Sequence, residues 1–370
     1  MPDVSAAVRD RIAELALELI RIPSVTGNEA EIAKHVRKWA SSQRQLSRDD
    51  VVKRDNAIVI GHPDARRPCV ALVGHLDTVP PAPGDAPPVI AGDRIVGRGA
   101  SDMKGSIAVM QALVETLDLA TLPFALMIVL YDREEGPYRS NGLQPLLEQY
   151  EPLSAVDLAI AMEPTDNTLQ LGCVGSVHAK VTFHGRAAHS ARPWQGENAI
   201  HKAGPMLSKL LAAKPRDVEI GGLVFREATS VTLAKGGLAA NTVPPEFEVN
   251  VNHRFAPATP TEAAIERAIR EVKDLAQGAT VEITDISPPG PVPIDNPILE
   301  HIQAIAHLDV QPKQAWTDVA RLATFGIDAV NVGPGSPAQA HQAGEWVSIP
   351  ALVKAYEILS EVLTLAMEGL

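Results

Sequence analysis

Acidic and imidazole side chains recur in this sequence just after the apolar runs that predict β-strands. The runs lie at 69–73, 124–131, 156–162 and 329–332, and a predicted helix begins near residue 103. The side chains beside these elements are His75, Asp77, Asp102, Asp132, Glu134, Glu135, Glu163 and, across a Gly-Pro-rich loop, His341. Because open α/β sheets bind ligands beyond the carboxyl ends of their strands, we expect these groups to converge at one edge. Negative charge concentrated there is unfavourable without a cation, so the pattern predicts a metal site.

The ligand types indicate which cation such a site would hold. Imidazole and carboxylate ligands without a thiolate suit zinc or a similar divalent first-row metal. The side chains taken as ligands are His75, Asp102, Glu135, Glu163 and His341. Five protein ligands are too many for one zinc ion with an open position, so two metal ions that share a carboxylate fit better. A pair about 3.5–4 Å apart can polarise a carbonyl oxygen and lower the pKa of a water between them, which predicts hydrolysis.

Each of these residues has an ordinary structural explanation when it is taken alone. His75 suits a hydrogen-bonded loop, and the pair Glu134 and Glu135 suits a solvated turn. Asp102 before an apolar run suits a helix N-cap, and Glu163 suits the end of a strand. Only their joint placement at successive strand ends indicates a common site.

The pattern of the elements predicts two domains of different architecture. Up to residue 174 and from about 290, near-continuous apolar runs alternate with helical segments, which is typical of a mostly parallel sheet covered on both faces. Between these stretches, the runs at 177–183, 229–234 and 247–255 alternate polar and apolar residues, which indicates an antiparallel sheet. We therefore predict an α/β fold, with a catalytic di-metal domain formed by 1–174 and 290–370 and an inserted α+β (ferredoxin-like) domain at 175–289.

Composition and charge limit the possible partners. The chain has 370 residues, of which 45% are hydrophobic and 21% charged, and this balance fits two ordinary folded domains. Its net charge of −12, with no dense Lys/Arg cluster, predicts that it binds no nucleic acid. An anionic substrate therefore needs individual Arg or Lys residues in its binding site.

The cysteines and the N-terminal residues bear on the cellular location. Cys69 and Cys173 stand beside small and apolar residues, so we predict that both fill the core and form no disulfide. Charged residues between Asp3 and Arg11 interrupt any signal-like apolar stretch, and the longest apolar run, at 124–131, is too short to span a membrane. We expect a cytoplasmic protein with no membrane partner.

A nucleotide-binding alternative fails on one residue. Gly97, Gly99 and Gly105 imitate the glycine-rich loop of dinucleotide-binding proteins. Asp102 stands where that fingerprint has glycine, and its carboxylate would repel a pyrophosphate. The sequence therefore disfavours a dinucleotide-dependent oxidoreductase.

Seven segments, in order along almost the whole chain, resemble one known family. They are GHLDTVP at 74–80, GRGASDMKG at 97–105, REEG at 133–136, MEPT at 162–165, GRAAHS at 185–190, NTVP at 241–244, and TDVARLATFGIDAVNVGPG followed by His341. The family comprises metal-dependent deacylases and exopeptidases, among them succinyl-diaminopimelate desuccinylases, acetylornithine deacetylases and glutamate carboxypeptidases. The segments at 162–166, 185–201 and 251–257 are most similar to actinobacterial-type succinyl-diaminopimelate desuccinylases.

The resemblance implies how the ligands are divided between two Zn²⁺ ions, for which Co²⁺ is a possible substitute. By the family pattern, His75 and Glu163 bind one metal ion, and Glu135 and His341 bind the other. Asp102 then bridges both. One departure concerns His341: family members often continue with Thr and acidic residues, whereas here the chain continues Gln342-Ala343-Gly344-Glu345. The surroundings of this ligand are therefore expected to differ.

The resemblance also implies catalytic residues outside the ligand set. Asp77 would orient His75, and Glu134 would take a proton from water and pass it to the leaving amine. His189, in the inserted domain, would stabilise the oxyanion. The inserted domain itself would serve as a lid and as the dimerisation domain of a homodimer.

Candidate substrate-binding residues also lie in the inserted domain. Arg254 ends a strand whose polar residues share its face, a position that suits either a rim charge or, with Asn241 and Arg192, a clamp for a substrate carboxylate. Such a clamp fits a small anionic N-acyl amino acid. The resemblance implies N-succinyl-LL-2,6-diaminopimelate, which hydrolysis converts to succinate and LL-2,6-diaminopimelate in lysine and diaminopimelate biosynthesis.

Three alternatives remain open at this point. The first is another N-acyl-amino-acid deacylase, such as an acetylornithine deacetylase. The second is a dipeptidase or carboxypeptidase with the same metals and a different pocket. A non-catalytic binding homologue is the alternative of a different class. It is disfavoured because such proteins typically lose the base or a ligand, whereas Glu134 and all five ligands are present.

Overall fold

The computed structural model describes residues 5–258 and 260–367, which divide into two compact units. The first unit contains the described residues up to Leu171, Pro293–Gln311 and those from Thr317 onward, and the second contains Gly172–Val292 and Pro312–Trp316. The expected division placed 312–316 with the first unit. Instead, the N–H of Val174 donates to the carbonyl of Lys313 at 3.3 Å, and this short segment packs with the second unit.

The helices and strands have the following bounds. The helices, in chain order, are α1 (Ala6–Ile20), α2 (Ala30–Ala40), α3 (Gly105–Thr116), α4 (Leu143–Gln149), α5 (Ala199–Lys202), α6 (Gly204–Ala212), α7 (Thr261–Leu275), α8 (Pro297–Ala306), α9 (Val319–Thr324) and α10 (Ile349–Thr364). The strands are β1 (Val51–Arg54), β2 (Ala57–Ile60), β3 (Cys69–His75), β4 (Val89–Ala91), β5 (Arg94–Val96), β6 (Ala125–Tyr131), β7 (Leu158–Ala161), β8 (Leu169–Leu171), β9 (Gly175–His184), β10 (Ala188–His189), β11 (Arg216–Ile220), β12 (Leu223–Gly236), β13 (Thr242–Val243), β14 (Glu246–Phe255), β15 (Thr280–Ser287), β16 (Val310–Pro312), β17 (Ala329–Asn331) and β18 (Trp346–Ser348). Over the described ranges, no helix combines the length and the apolarity needed to cross a membrane.

An eight-stranded sheet, in the order β1-β2-β6-β3-β7-β17-β8-β16, forms the centre of the first unit. Strands β6, β3, β7 and β17 are parallel, whereas β2 runs antiparallel to β1 and β6, and β8 runs antiparallel to β17. Every residue of β3 is buried, so both faces of the sheet are covered there. This burial explains the near-continuous apolar sequence of the strands, and it confirms the predicted mostly parallel α/β sheet.

Helices α1, α3 and α10 pack against one another in the first unit. The apolar positions of α1 recur at helical spacing and are buried, among them Ile12, Leu15 and Leu19. Helix α3 is buried on all sides from residue 105 to residue 114. This helix begins directly after the turn Ala100–Lys104, which carries Asp102.

A small sheet of β4, β5 and β18 joins two distant parts of the first unit. Strand β18 runs antiparallel to β5, with Trp346 opposite Val96 and Ser348 opposite Arg94. The guanidinium of Arg94 also lies over the Trp346 ring, 3.7 Å from its centroid. This register places the residues that precede β18 beside the residues that follow β5.

The second unit is an antiparallel sheet in the order β11-β12-β14-β9-β15, with helices on one face. The alternating residues Val177, Ala179, Val181 and Phe183 of β9 pack with buried residues of α5, α6 and α7. The intervening side chains of β9 and β14 point to the other face and are mostly polar, which produces the period-two pattern of these strands. The predicted antiparallel α+β insertion is confirmed.

Candidate metal centre

The strand ends of the first unit bring the predicted ligands together. His75 ends β3 and is buried, and Glu163 follows β7 and is also buried. Because β3 pairs in parallel with both β6 and β7, the residues that follow these strands lie at the same edge of the sheet. Asp102 reaches this edge from the turn before α3.

Ligand atoms of His75, Asp102 and Glu163 form the first group and lie within 4.8 Å of one another. Nε2 of His75 is 3.1 Å from Oδ1 of Asp102. The other ring nitrogen, Nδ1, is 3.0 Å from the backbone carbonyl oxygen of Asp77, which fixes the orientation of the imidazole. An imidazole held in this way through its second nitrogen is the usual arrangement for a metal-binding histidine.

Asp102, Glu135 and His341 form the second group, also within 4.8 Å. Nε2 of His341 is 2.9 Å from Oε1 of Glu135 and 3.6 Å from Oδ2 of Asp102. The two oxygens of Asp102 therefore face different histidines. A carboxylate in this position suits two metal ions that share one ligand.

Asp77 has a larger role in the geometry than orienting His75. Its carboxylate is fully buried and accepts the backbone N–H of Glu134 at 2.9 Å and of Glu135 at 3.1 Å. It also accepts the hydroxyl of Thr26 at 2.9 Å, whereas Nδ1 of His75 is 3.5 Å away. The Asp77 side chain thus holds the loop that carries Glu134 and Glu135. The imidazole of His75 is oriented mainly by the backbone carbonyl of Asp77.

Glu134 lies beside the two groups, with a ligand atom within 4.8 Å of those of His75 and Glu135. Burial raises the pKa of the Glu134 carboxyl well above its usual range; His75 opposes this shift, and the nearby carboxylates of Glu163 and Glu135 add to it. A carboxyl group placed beside the candidate ligands suits a general base, which must lie within reach of the water that it deprotonates.

The two histidines are held in a strongly negative environment. For His341, the hydrogen bond with Glu135 raises the pKa against the opposing effect of burial. For His75, burial acts to lower the pKa, but hydrogen bonds with Asp102 and Asp77 raise it well above its usual range. A metal ion therefore competes with protons at both imidazoles, because each must be neutral to bind it.

Two buried acidic residues of this unit were missed by the sequence reasoning. Asp318 accepts hydrogen bonds from the Tyr131 hydroxyl, the Asn141 amide and the Arg321 guanidinium, at 2.6–2.7 Å, next to the end of β6. Glu345 accepts three backbone N–H groups of the segment that carries Asp102. Asp318 lies within the motif at 317–335, which is a signal in the sequence. Glu345 lies in the unusual sequence after His341 and carries no signal of its own.

The residues predicted in the inserted domain all lie in the second unit, and three of them are neighbours. His189 pairs with Thr242 in the β10–β13 ladder, and the N–H of Ser190 donates to the carbonyl of Asn241 at 2.9 Å. The N–H of Arg192 donates to the carbonyl of His189 at 2.8 Å. His189, Asn241 and Arg192 are exposed and form one cluster.

Arg254 is half-buried on the helix-free face of the five-stranded sheet. Its Nε donates to the Asn252 side-chain oxygen at 3.1 Å. Burial lowers the pKa of the guanidinium, which remains charged at neutral pH. A guanidinium among polar side chains on a sheet face is suited to binding a carboxylate.

Comparisons with known proteins agree with this fold and motif order. The sequence profile of Peptidase family M20/M25/M40 matches residues 71–365. A Mycobacterium tuberculosis protein, named for succinyl-diaminopimelate desuccinylase activity, is 37% identical over 95% of this chain and 97% of its own length. The succinyl-diaminopimelate desuccinylase of Corynebacterium glutamicum is 33% identical, with 95% of each chain covered.

Among solved structures, an M20 family metallo-carboxypeptidase from Sulfolobus solfataricus has the same fold. It superposes with a TM-score of 0.76 at 17% identity and covers 96% of this chain and 99% of its own. At this identity the likeness concerns the fold alone. The family profile and the two relatives, which match most of the chain, show that this protein belongs to Peptidase family M20/M25/M40.

Proposed function

We propose that this protein, a metal-dependent hydrolase by its family, cleaves the amide bond of N-succinyl-LL-2,6-diaminopimelate to release succinate and LL-2,6-diaminopimelate. The observation that carries the proposal is the position of Asp102 between two groups of candidate ligands. The two relatives named for this reaction match nearly the whole chain and support the choice of substrate.

The donor set fits two Zn²⁺ ions, with Co²⁺ as a possible substitute. Two imidazoles and three carboxylates, without a thiolate, converge at a strand edge where their negative charge needs a cation. In the proposed division, His75 and Glu163 hold one ion, Glu135 and His341 hold the other, and Asp102 contributes one oxygen to each. When bound, the metal ions would polarise the amide carbonyl and promote ionisation of water.

Glu134 is the group that moves the proton in this proposal. Its carboxylate takes a proton from the attacking water as the water oxygen bonds to the carbonyl carbon. It then gives this proton to the amide nitrogen as the C–N bond breaks, so that the amine leaves neutral. The position of Glu134, with a carboxylate oxygen within 4.8 Å of ligand atoms of His75 and Glu135, supports both transfers, because a general base must lie within reach of the water that it deprotonates.

The second unit supplies the residues that we propose for substrate binding. His189 would stabilise the oxyanion, and Arg254, Asn241 and Arg192 would bind substrate carboxylates. With a net charge of −12, the protein does not attract an anion by its overall field, and individual guanidinium groups must do so. The exposure of the His189 cluster leaves its side chains accessible to such a ligand.

A homodimer formed through the second unit is part of the proposal. Strand β12 pairs with β11 only along Leu223–Glu227, so the same edge of β12 from 228 to 236 has no partner strand in the described part of the chain. Leu233 and Leu238 are 71% and 80% exposed beside this edge, a combination that favours pairing with a second copy. Sedimentation of wild type and of Leu233→Lys tests it, because a monomeric wild type would refute the dimer.

A cytoplasmic location completes the proposal. Cys69 and Cys173 are both buried and neither forms a disulfide, which suits a reducing compartment. Fractionation of the native host tests this location, and recovery of the protein outside the cytoplasm would refute it.

A panel of substrates tests the reaction directly. After reconstitution with zinc, the rates on N-succinyl-LL-2,6-diaminopimelate, N-acetylornithine and simple dipeptides are compared, with the Glu134→Gln protein as the inactive control. We expect the succinylated substrate to be hydrolysed with the highest kcat/KM. Negligible turnover of that substrate beside rapid turnover of N-acetylornithine or a dipeptide would identify a different deacylase or a peptidase instead. A peptidase is the second candidate, because a carboxypeptidase shares the fold.

A further inference from the structure

Glu345 is a buried carboxylate that binds the backbone of the turn carrying Asp102. Its Oε1 accepts the N–H of Ser101 at 2.8 Å and of Asp102 at 3.0 Å, and its Oε2 accepts the N–H of Gly99 at 2.8 Å. The residue is 1% exposed, and Arg98 lies 3.3 Å from Oε2. Hydrogen bonds from several N–H groups to one ionised carboxylate are stronger than bonds between neutral groups.

The backbone of Glu345 strengthens the same connection. Its carbonyl accepts the N–H of Gly97 at 2.8 Å, and the β5–β18 ladder begins at the next residue, Trp346 opposite Val96. Glu345 therefore joins the turn before α3 to the end of the loop that contains His341. The two parts of the chain that supply Asp102 and His341 meet through this residue.

The position of Asp102 is unusually sensitive to such a connection. Its Oδ1 is 3.1 Å from the His75 imidazole and its Oδ2 is 3.6 Å from the His341 imidazole. A small rotation of the Asp102 backbone would move one oxygen away from its group while it moved the other closer. The N–H of Asp102 itself is one of the three groups that Glu345 holds.

We infer that Glu345 is a positioning residue, which acts through the backbone of residues 99–102 to set the Asp102 carboxylate between the two metal ions. This inference rests on the two-metal function proposed above. Loss of a group that orients a metal ligand typically weakens metal binding about 10- to 100-fold. We therefore expect the dissociation constant of at least one Zn²⁺ ion to rise by about this factor in Glu345→Gln.

Glu345→Gln is close to isosteric and changes only the hydrogen bonding of the side chain. The glutamine amide replaces one acceptor oxygen with an N–H₂ group, so either the Gly99 N–H or the pair from Ser101 and Asp102 faces a donor. The matched control is Glu115→Gln, since Glu115 accepts from Arg11 and Trp39 at 2.8–2.9 Å and lies about 15 Å along α3 from its start. Glu115 is thus a partly buried carboxylate at the end of α3 that is far from the Asp102 turn.

The experiment measures zinc affinity by competition with a chromogenic chelator, beginning from the metal-free full-length proteins. The visible spectrum of the Co²⁺-loaded proteins and the thermal unfolding of the metal-free proteins are recorded in parallel. We expect weaker zinc binding and an altered Co²⁺ spectrum in Glu345→Gln alone. A purely structural residue would lower the unfolding temperature and leave both metal measurements unchanged.

The outcomes separate this inference from the proposed function. Two zinc ions bound by wild type and bound equally tightly by Glu345→Gln would overturn the inference and leave the proposed function standing. Fewer than two ions bound by wild type would overturn both, whereas an unexpected preferred substrate would affect the proposed function alone. If Glu345→Gln does not fold, Glu345→Asp replaces it, because the shorter carboxylate reaches fewer of the three donors; wild-type zinc affinity in that variant would overturn the inference.

Discussion

Asp77→Asn is the substitution that tests most directly how the loop that carries Glu134 and Glu135 is held. The Asp77 carboxylate accepts the N–H of Glu134 on Oδ1 and the N–H of Glu135 on Oδ2. Asparagine has nearly the same volume but offers only one oxygen. Whichever way the new amide is turned, one of these two partly buried N–H groups faces an N–H₂ group and loses its acceptor.

The size of the effect follows from that single lost contact. A buried backbone N–H left without an acceptor costs about 1–3 kcal/mol. Since about 1.4 kcal/mol corresponds to a factor of ten, the loss amounts to roughly 5- to 150-fold. The loop relieves this cost by moving, so the loss should be divided between the proton transfer by Glu134 and metal binding by Glu135. We expect kcat/KM at limiting zinc to fall by about 5- to 150-fold.

The assay compares kcat/KM and bound zinc for wild type, Asp77→Asn and a control, Asp50→Asn. Asp50 also accepts a backbone N–H, from Ser47 at 2.6 Å, but its own carbonyl binds Gly61 at the end of β2 opposite to the metal centre. We expect kcat/KM and bound zinc of Asp50→Asn to stay near the wild-type values. Wild-type kcat/KM and full zinc content in Asp77→Asn would refute the argument that this carboxylate holds the loop.

Three further substitutions follow from the same structure. Glu134→Gln should lower kcat by at least about 100-fold with metal content near wild type, so metal loss measured by elemental analysis would contradict its role as base. Glu135→Gln should instead deplete one metal ion, and unchanged occupancy would contradict its assignment as a ligand. In the second unit, burial acts to raise the pKa of Glu227, but Arg267, the Ala256 N–H and Arg216 lower it to about 2, from 4.5. Its ionised form therefore contributes about 3 kcal/mol of stability above pH 4.5, which is lost as the pH falls from 4.5 towards 2. The difference in unfolding free energy between wild type and Glu227→Gln should thus be largest near pH 7 and shrink in this acid range, and a pH-independent difference in urea unfolding would count against it.

Local sequence was enough to predict most strands of the first unit and the side chains that stand at their ends. Strands buried on both faces require continuous apolar runs, so β3, β6 and β7 were visible as such runs, with His75, Glu134 and Glu163 after them. The period-two pattern of β9 and β14 equally predicted a sheet with one apolar face. These features depend on local sequence and on a general rule for strand ends.

The contacts that hold the residues of the site in place became visible only in the folded chain. The contact of Glu345 with the Asp102 turn joins residues 243 positions apart, and that of Asp77 with Glu134 joins residues 57 positions apart. Nothing in the local sequence of Glu345 distinguishes a buried acceptor of three N–H groups from an exposed turn residue, because the β5–β18 pairing alone brings it there. Likewise, the sequence placed Asp102 among the ligands, but the geometry gave each of its oxygens a different histidine. These distances are set by packing between parts of the chain that are far apart in sequence. No single residue type or spacing predicts them.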